Sequence, residues 1–157
     1  MDKIIGIGGI AVSNTIGDQL KTFSLASCVA VTVYCKPKHT AGMIHVALPD
    51  NEPHGEWFLS QPCYYATHGV PLLINKMCTE YGCPKESLEI ELFGGAQSVH
   101  GNDVFHIGKR NVRTVKNILD ELNLMYVATE TGGTNSRTLG MDVATGDKTV
   151  FLQPLII

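Results

Sequence analysis

The chain has no long apolar run, no excess of positive charge and few charges of either sign, and each absence removes a class of function. No stretch of its 157 residues reaches the roughly 18 consecutive apolar positions of a membrane-spanning helix, so insertion into a bilayer is not expected. Lys and Arg number 12 against 15 Asp and Glu, a net charge of −3. Without a basic excess, nucleic acid is not an expected partner. The start Met1-Asp2-Lys3 lacks a charged segment followed by an apolar stretch and a small-residue cleavage site, so the expectation is a cytoplasmic protein. With 17% charged and 44% hydrophobic residues the chain is too apolar for disorder. Its length suits one domain over residues 1–157.

Metal and disulfide scaffolds are also missing. The five cysteines Cys28, Cys35, Cys63, Cys78 and Cys83 are odd in number and contain no C-x-x-C pair, so they are expected as thiols. Cys78 and Cys83 straddle Gly82 with no His or Cys partner at zinc-site spacing, and His39, His54, His68, His100 and His106 have no such spacing among themselves. No metal and no cofactor is expected. Gly6-Ile7-Gly8-Gly9-Ile10-Ala11 formally fits a dinucleotide fingerprint, but no amphipathic helix starts after it.

What is present is a strand-rich pattern. Lys3–Gly9 and Gln19–Phe23 read as strands. Cys28–Tyr34 and Ala41–Leu48, parted by Lys36-Pro37-Lys38, read as a hairpin. Asp50–Gly55 is expected as a loop. Val70, Leu73, Ile74, Met77 and Tyr81 mark one face of a helix ending at Gly82, and Pro71 sets its start near Thr67. Leu88, Ile90 and Leu92 alternate with Glu89 and Glu91 as in a strand with one buried face. A second helix runs from about Lys109 to Leu122, with Val112, Val115, Ile118, Leu119 and Leu122 on one face and Lys109, Arg113 and Lys116 on the other. Three more strands follow at Met125–Thr131, Arg137–Val143 and Lys148–Leu155. Strands at both ends with two main helices between them imply an α+β layered sandwich with mixed sheets.

Cys28 stands where the polar segment Thr22–Ser27 turns into an apolar strand, and His45 lies in the next strand. In an antiparallel hairpin, residues near 28 fall opposite residues near 47, which brings Cys28 and His45 within reach. A thiol attacks as its thiolate, so a neighbouring imidazole that takes the proton makes Cys28 a candidate nucleophile. Thr22 is the candidate hydroxyl for fixing the imidazole tautomer. Cysteine is also among the residues most often buried, and a lone His in a strand is ordinary, so position alone leaves a structural role open. Gly94-Gly95 and Gly132-Gly133 mark turns that can carry backbone N–H groups toward the site. Arg110 and Arg137 are either substrate-facing or paired on the surface.

Several segments together resemble one family. Leu25-x-Ser27-Cys28-Val29, His45-x-x-Leu48-Pro49, Tyr65-Ala66, Gly94-Gly95-Ala96, Ile107-Gly108-x-Arg110-Asn111 and Thr131-Gly132-Gly133-x-x-x-Arg137 follow the order of the bacterial chemoreceptor glutamine deamidases, the CheD family. The resemblance implies a cysteine amidohydrolase that converts glutamines of methyl-accepting chemotaxis receptors to glutamate. It implies a Cys28, His45, Thr22 triad, with Ser27, Tyr65, Arg110 and Arg137 toward substrate, on a fold similar to the catalytic domain of cytotoxic necrotizing factor toxins. It also implies a regulatory partner, a CheC-type phosphatase. Ser24 and Ala26 stand where the family usually has glycine, and Glu130 where Asp is commoner. That altered loop keeps a second possibility open, a catalytically weak adaptor that stimulates the phosphatase.

Overall fold

In a computed structural model, residues 1–50, 61–98 and 105–155 are described, so most of the expected 50–55 loop, His54 and His100 lie outside the described residues. Nine strands and two helices follow in the order β1 (Asp2–Ile4), β2 (Ile10–Ser13), β3 (Gln19–Leu25), β4 (Val29–Cys35), β5 (Thr40–Val46), α1 (Ala66–Asn75), β6 (Leu88–Gly94), α2 (Ile107–Glu121), β7 (Val127–Thr131), β8 (Asn135–Asp142) and β9 (Lys148–Pro154). They form two mixed sheets, β1-β3-β8-β9 and β2-β5-β4-β6-β7. The β1–β3 and β6–β7 pairs are parallel and the others antiparallel. This is the expected α+β sandwich of layers.

The five-stranded sheet is the middle layer. One face packs against the helices, with Val29, Val31, Val33, Ile44 and Val46 against Val70, Leu73, Val115 and Leu119. Its other face, with Ala30, Tyr34, Met43 and Phe93, packs against Leu20, Leu25, Leu139 and Met141 of the four-stranded sheet. A strand covered on both faces must be apolar at every position, and all seven residues of β4 are buried. That is why Val29–Cys35 shows no alternation, whereas β6, with Glu89 at the surface, does.

Two expectations need correction. Lys3–Gly9 is not one strand: β1 joins one sheet, β2 joins the other, and the glycine-rich segment between them crosses over. There Gly9 N–H closes a turn onto Gly6 O at 2.9 Å, and Ile10–Ser13 was missed as a strand because it is only four residues long. The strand expected over Gln19–Phe23 is longer: β3 continues to Leu25 through an irregularity between Thr22 and Leu25, so part of the segment read as a polar loop is strand. Helix α1 starts at Ala66, so Pro71 falls in its second turn, and the helix then widens, with Tyr81 N–H reaching back five residues to Lys76 O.

Candidate active site

The β4–β5 register places Ala30 opposite His45 and Val29 opposite Val46. Cys28, two residues before Ala30, therefore shares a sheet face with His45, one diagonal step away and within reach of an imidazole. That face looks into the space between the sheets, where Cys28 packs with Ala30, Met43 and Phe93. From across that space β3 presents Thr22, so Thr22 and His45 come from different sheets and meet inside the sandwich, on the sheet face that Cys28 shares. Thr22 and His45 are 0% and 1% exposed, and Cys28 is half-buried.

Hydrogen bonds fix the imidazole. Thr22 Oγ1 lies 2.6 Å from Ile5 O and 2.7 Å from His45 Nδ1. A hydroxyl has one proton, and an oxygen–oxygen contact of 2.6 Å requires it, so Thr22 donates to Ile5 and accepts from Nδ1–H. The remaining nitrogen, Nε2, is then an unprotonated lone pair. It is buried and has no partner among the described residues. The His45 backbone is held as well: Gly8 N–H donates to His45 O at 2.8 Å and His45 N–H to Gly9 O at 3.3 Å. The glycines that formally match a dinucleotide fingerprint are thus a collar around this histidine.

Burial governs the charge state of the two groups. Burial pushes the Cys28 thiol up to about 11, partly offset by its own backbone N–H, and burial pulls His45 down to about 4. Both groups are therefore neutral near pH 7, and no Cys28–His45 hydrogen bond is formed among the described residues. Such contacts are often long before substrate binds. Burial raises Cys63 and Cys83 further, to about 12, and all five cysteines are free thiols.

The loop before Cys28 has a specific shape. Ser24 has φ 57°, in the left-handed region, and Ala26 N–H closes onto Ser24 O at 3.0 Å. This bulge turns Leu25 inward where strict alternation would place Ser24. Beyond it the chain is pinned by the turn after β6: Ala96 N–H donates to Ala26 O at 2.7 Å and Gly95 N–H to Cys28 O at 2.8 Å. A Cβ on Gly94 would come within 2.2 Å of Cys28 O, so only glycine allows this approach. Gly108 is required likewise, since a Cβ there would meet Ala96 O at 2.3 Å; its absence lets α2 seat its first turn on the same segment.

The other candidates separate. Ser27 is half-buried in the loop, and Tyr65 is half-buried where it bridges Leu48 beyond His45. Arg110 is exposed on α2. Arg137 is not surface-paired: it is 2% exposed, donates to Gly132 O at 2.6 Å and Asn135 O at 3.2 Å, and lies 3.4 Å from Glu130. It therefore braces the Gly132-Gly133 turn, whose Gly132 N–H bonds Gly94 O at 2.9 Å. Among the described residues no group of three or more His, Cys, Asp or Glu side chains is placed to hold a metal. Sequence reasoning passed over Asn111, the buried residue beside Arg110, although it ended a quoted motif.

The chain is similar to known proteins over most of its length. A family model described as CheD chemotactic sensory transduction matches residues 47–151. A protein of Syntrophotalea carbinolica named probable chemoreceptor glutamine deamidase CheD is 44% identical over 147 residues, covering 92% of this chain and 90% of its own. One of the same name from Pyrococcus abyssi is 37% identical, with 90% and 86% covered. Another from Syntrophus aciditrophicus, named probable chemoreceptor glutamine deamidase CheD 1, is 32% identical, with 92% and 90% covered.

Proposed function

The chain belongs to the CheD family, and on that premise we propose that it is a chemoreceptor glutamine deamidase in which Cys28 is the nucleophile, His45 the base and Thr22 the group that orients His45. The observation carrying this reading is the Thr22–His45 contact of 2.7 Å, which leaves Nε2 unprotonated on the sheet face that Cys28 shares. Residues 1–157 are taken as one deamidase domain working in the cytoplasm. Among the described residues no helix is long and apolar enough to cross a membrane.

The chemistry follows from neutral partners. As the Cys28 sulfur attacks the carbon of a glutamine side-chain amide, Nε2 takes the thiol proton, so charge is created only as the bond forms. The amide oxygen becomes an oxyanion beside the Cys28 backbone N–H. Protonated His45 passes its proton to the nitrogen, ammonia leaves, and a thioester remains. His45 then deprotonates a water that attacks the thioester, giving glutamate and the free thiol.

Substrate recognition is assigned to the rim, with Ser27 and Tyr65 beside the loop and Arg110 on the exposed start of α2; Arg137 contributes by bracing the Gly132-Gly133 turn. The substrate is a methyl-accepting chemotaxis receptor, and a CheC-type phosphatase is the regulatory partner on family grounds alone. A fold similar to the catalytic domain of cytotoxic necrotizing factor toxins is part of this proposal on family grounds, with the two layered sheets in its support. The adaptor alternative drew on Ser24 and Ala26, yet the loop closes with Ser24 at positive φ, so their presence does not prevent the geometry.

Ammonia release from a receptor cytoplasmic fragment, with glutamine-to-glutamate conversion followed by mass spectrometry, tests the reading. Wild type should convert specific glutamines and C28A none; full activity in C28A would remove the mechanism.

A further inference from the structure

Three consecutive carbonyls before and at Cys28 are each held by a separate donor. The Ala26 and Cys28 oxygens are taken by backbone N–H groups of Ala96 and Gly95. Between them, Ser27 O is taken by a side chain, the Nδ2 of Asn111 on α2, at 2.9 Å. The second Nδ2 hydrogen goes to Ala47 O at 3.0 Å, two residues past His45. Asn111 is 0% exposed, and its Oδ1 has no partner among the described residues, so its polar hold on the fold runs through Nδ2.

In a trans peptide the C=O and the following N–H point to opposite sides of one plane, and the chain has no cis bond among the described residues. Fixing Ser27 O toward α2 therefore turns the Cys28 N–H away from α2. That N–H donates to no other backbone carbonyl among the described residues. We infer that Asn111 is a positioning residue: it sets the Ser27–Cys28 peptide plane so that the Cys28 N–H faces the oxygen that gains charge when Cys28 attacks an acyl carbon. The inference rests on the proposed role of Cys28 as nucleophile, but not on which amide is attacked. Because the same amide grips Ala47 O, the loop carrying the nucleophile and the strand carrying the base are held in one register.

Two reactions of the same sulfur test this. Acylation by p-nitrophenyl acetate passes through an oxyanion, whereas alkylation by iodoacetamide places no charge on an acyl oxygen. Both rates are measured on the full chain for wild type, N111A and N111D, each corrected by the C28A background. N111D keeps the shape but sets a carboxylate oxygen against two carbonyl oxygens; should it fail to fold, N111A carries the test. The expected result is a loss of acylation of about 10- to 100-fold, somewhat below the 10²–10³ for deleting an oxyanion donor outright. Alkylation and its pH profile should stay within about threefold of wild type, which a merely structural role would not produce. Equal loss in both reactions, or loss in neither, overturns the inference. Receptor deamidation is assayed beside them: its absence in wild type counts against the proposed reaction, while the acylation-to-alkylation ratio still decides Asn111.

Discussion

Thr22 accepts the Nδ1 proton of His45 because its own proton is committed to the carbonyl of Ile5, at 2.6 Å. The tautomer is thus set by a backbone group of the crossover after β1, not by a carboxylate, and no negative charge stands behind the imidazole. A histidine so placed is a weak base kept neutral by burial, ready to take one proton from a neighbour on its own sheet face.

Removing that hydroxyl tests the chain of bonds. T22V leaves Ile5 O and His45 Nδ1–H buried without partners, and one unsatisfied buried group costs about 1–3 kcal/mol. A loss of at least about 2 kcal/mol in a denaturant titration is expected, with deamidation down at least about tenfold, while T22S restores most of both. If T22V matches wild type in stability and rate, the hydroxyl has no part in holding His45.

The low His45 pKa makes stability depend on pH with a definite sign. Burial favours the neutral form, lowering the folded value from 6.5 to about 4, so the unfolded chain binds the proton first as pH falls. The contribution is complete above 6.5 and is lost between 6.5 and about 4, amounting to about 3 kcal/mol. H45Q should show a flatter stability curve across that window than wild type. Equal slopes in chemical denaturation would mean that this imidazole is not held neutral.

Cysteine reactivity has its own profile. With His45 as base, iodoacetamide labelling of Cys28 should persist on the acid side of its raised thiol value of about 11, and H45A should shift the profile toward that value. Cys63 and Cys83 are buried, with thiols raised to about 12, and should label slowly. Peptide mapping after brief labelling decides this; Cys63 or Cys83 modified as fast as Cys28 would argue against a special environment there.

At Ser24 the backbone conformation suits glycine. A side chain at φ 57° costs roughly 1–2 kcal/mol, part of which the unfolded-state entropy of glycine returns. S24G should raise the melting temperature by about 2–4 °C, the shift that 1 kcal/mol gives in a domain of this size. No rise in calorimetry, or a fall, would show that the left-handed turn carries no strain.

Much of this was legible in the sequence because periodicity and punctuation reported it directly. The β4–β5 hairpin, both helices, β6 and the last three strands were located from apolar spacing and glycines, and the hairpin register brought Cys28 toward His45. What was not legible depends on backbone crossing between sheets. Nothing in Lys3–Gly9 shows that Ile5 lends its carbonyl to Thr22, or that the strand pattern breaks into two sheets. Arg137 was expected at a surface or a substrate because arginines rarely lie fully inside, but its partners are turn carbonyls that appear only once Gly132 has packed on Gly94. Asn111 was hidden because an asparagine in a helix gives no period signal, and its acceptors are 64 and 84 residues away in sequence.

The remaining prediction concerns what brings a receptor helix to the site. Lys109, Arg113 and Lys116 line, with Gly95, Gln97 and Gly132, a cavity of about 360 Å³ beside the turn that pins the Cys28 loop. None of the three has a carboxylate partner among the described residues, and the first turn of α2 holds no acid; Lys109 adds to the positive pole of the helix, and Arg113 and Lys116 carry the positive charge on along it. In a chain of net charge −3 this is a local field, suited to an acidic helix presenting its glutamine next door. Charge reversal in R113E/K116E should lower kcat/KM on a receptor fragment about tenfold at low ionic strength, mostly through KM. The gap should close as salt shortens the screening length to about 8 Å near 0.15 M. Acylation of Cys28 by a small ester should be unchanged, since the nucleophile loop is untouched. A receptor rate that ignores the reversal at every ionic strength would reduce the cluster to a solvated helix face.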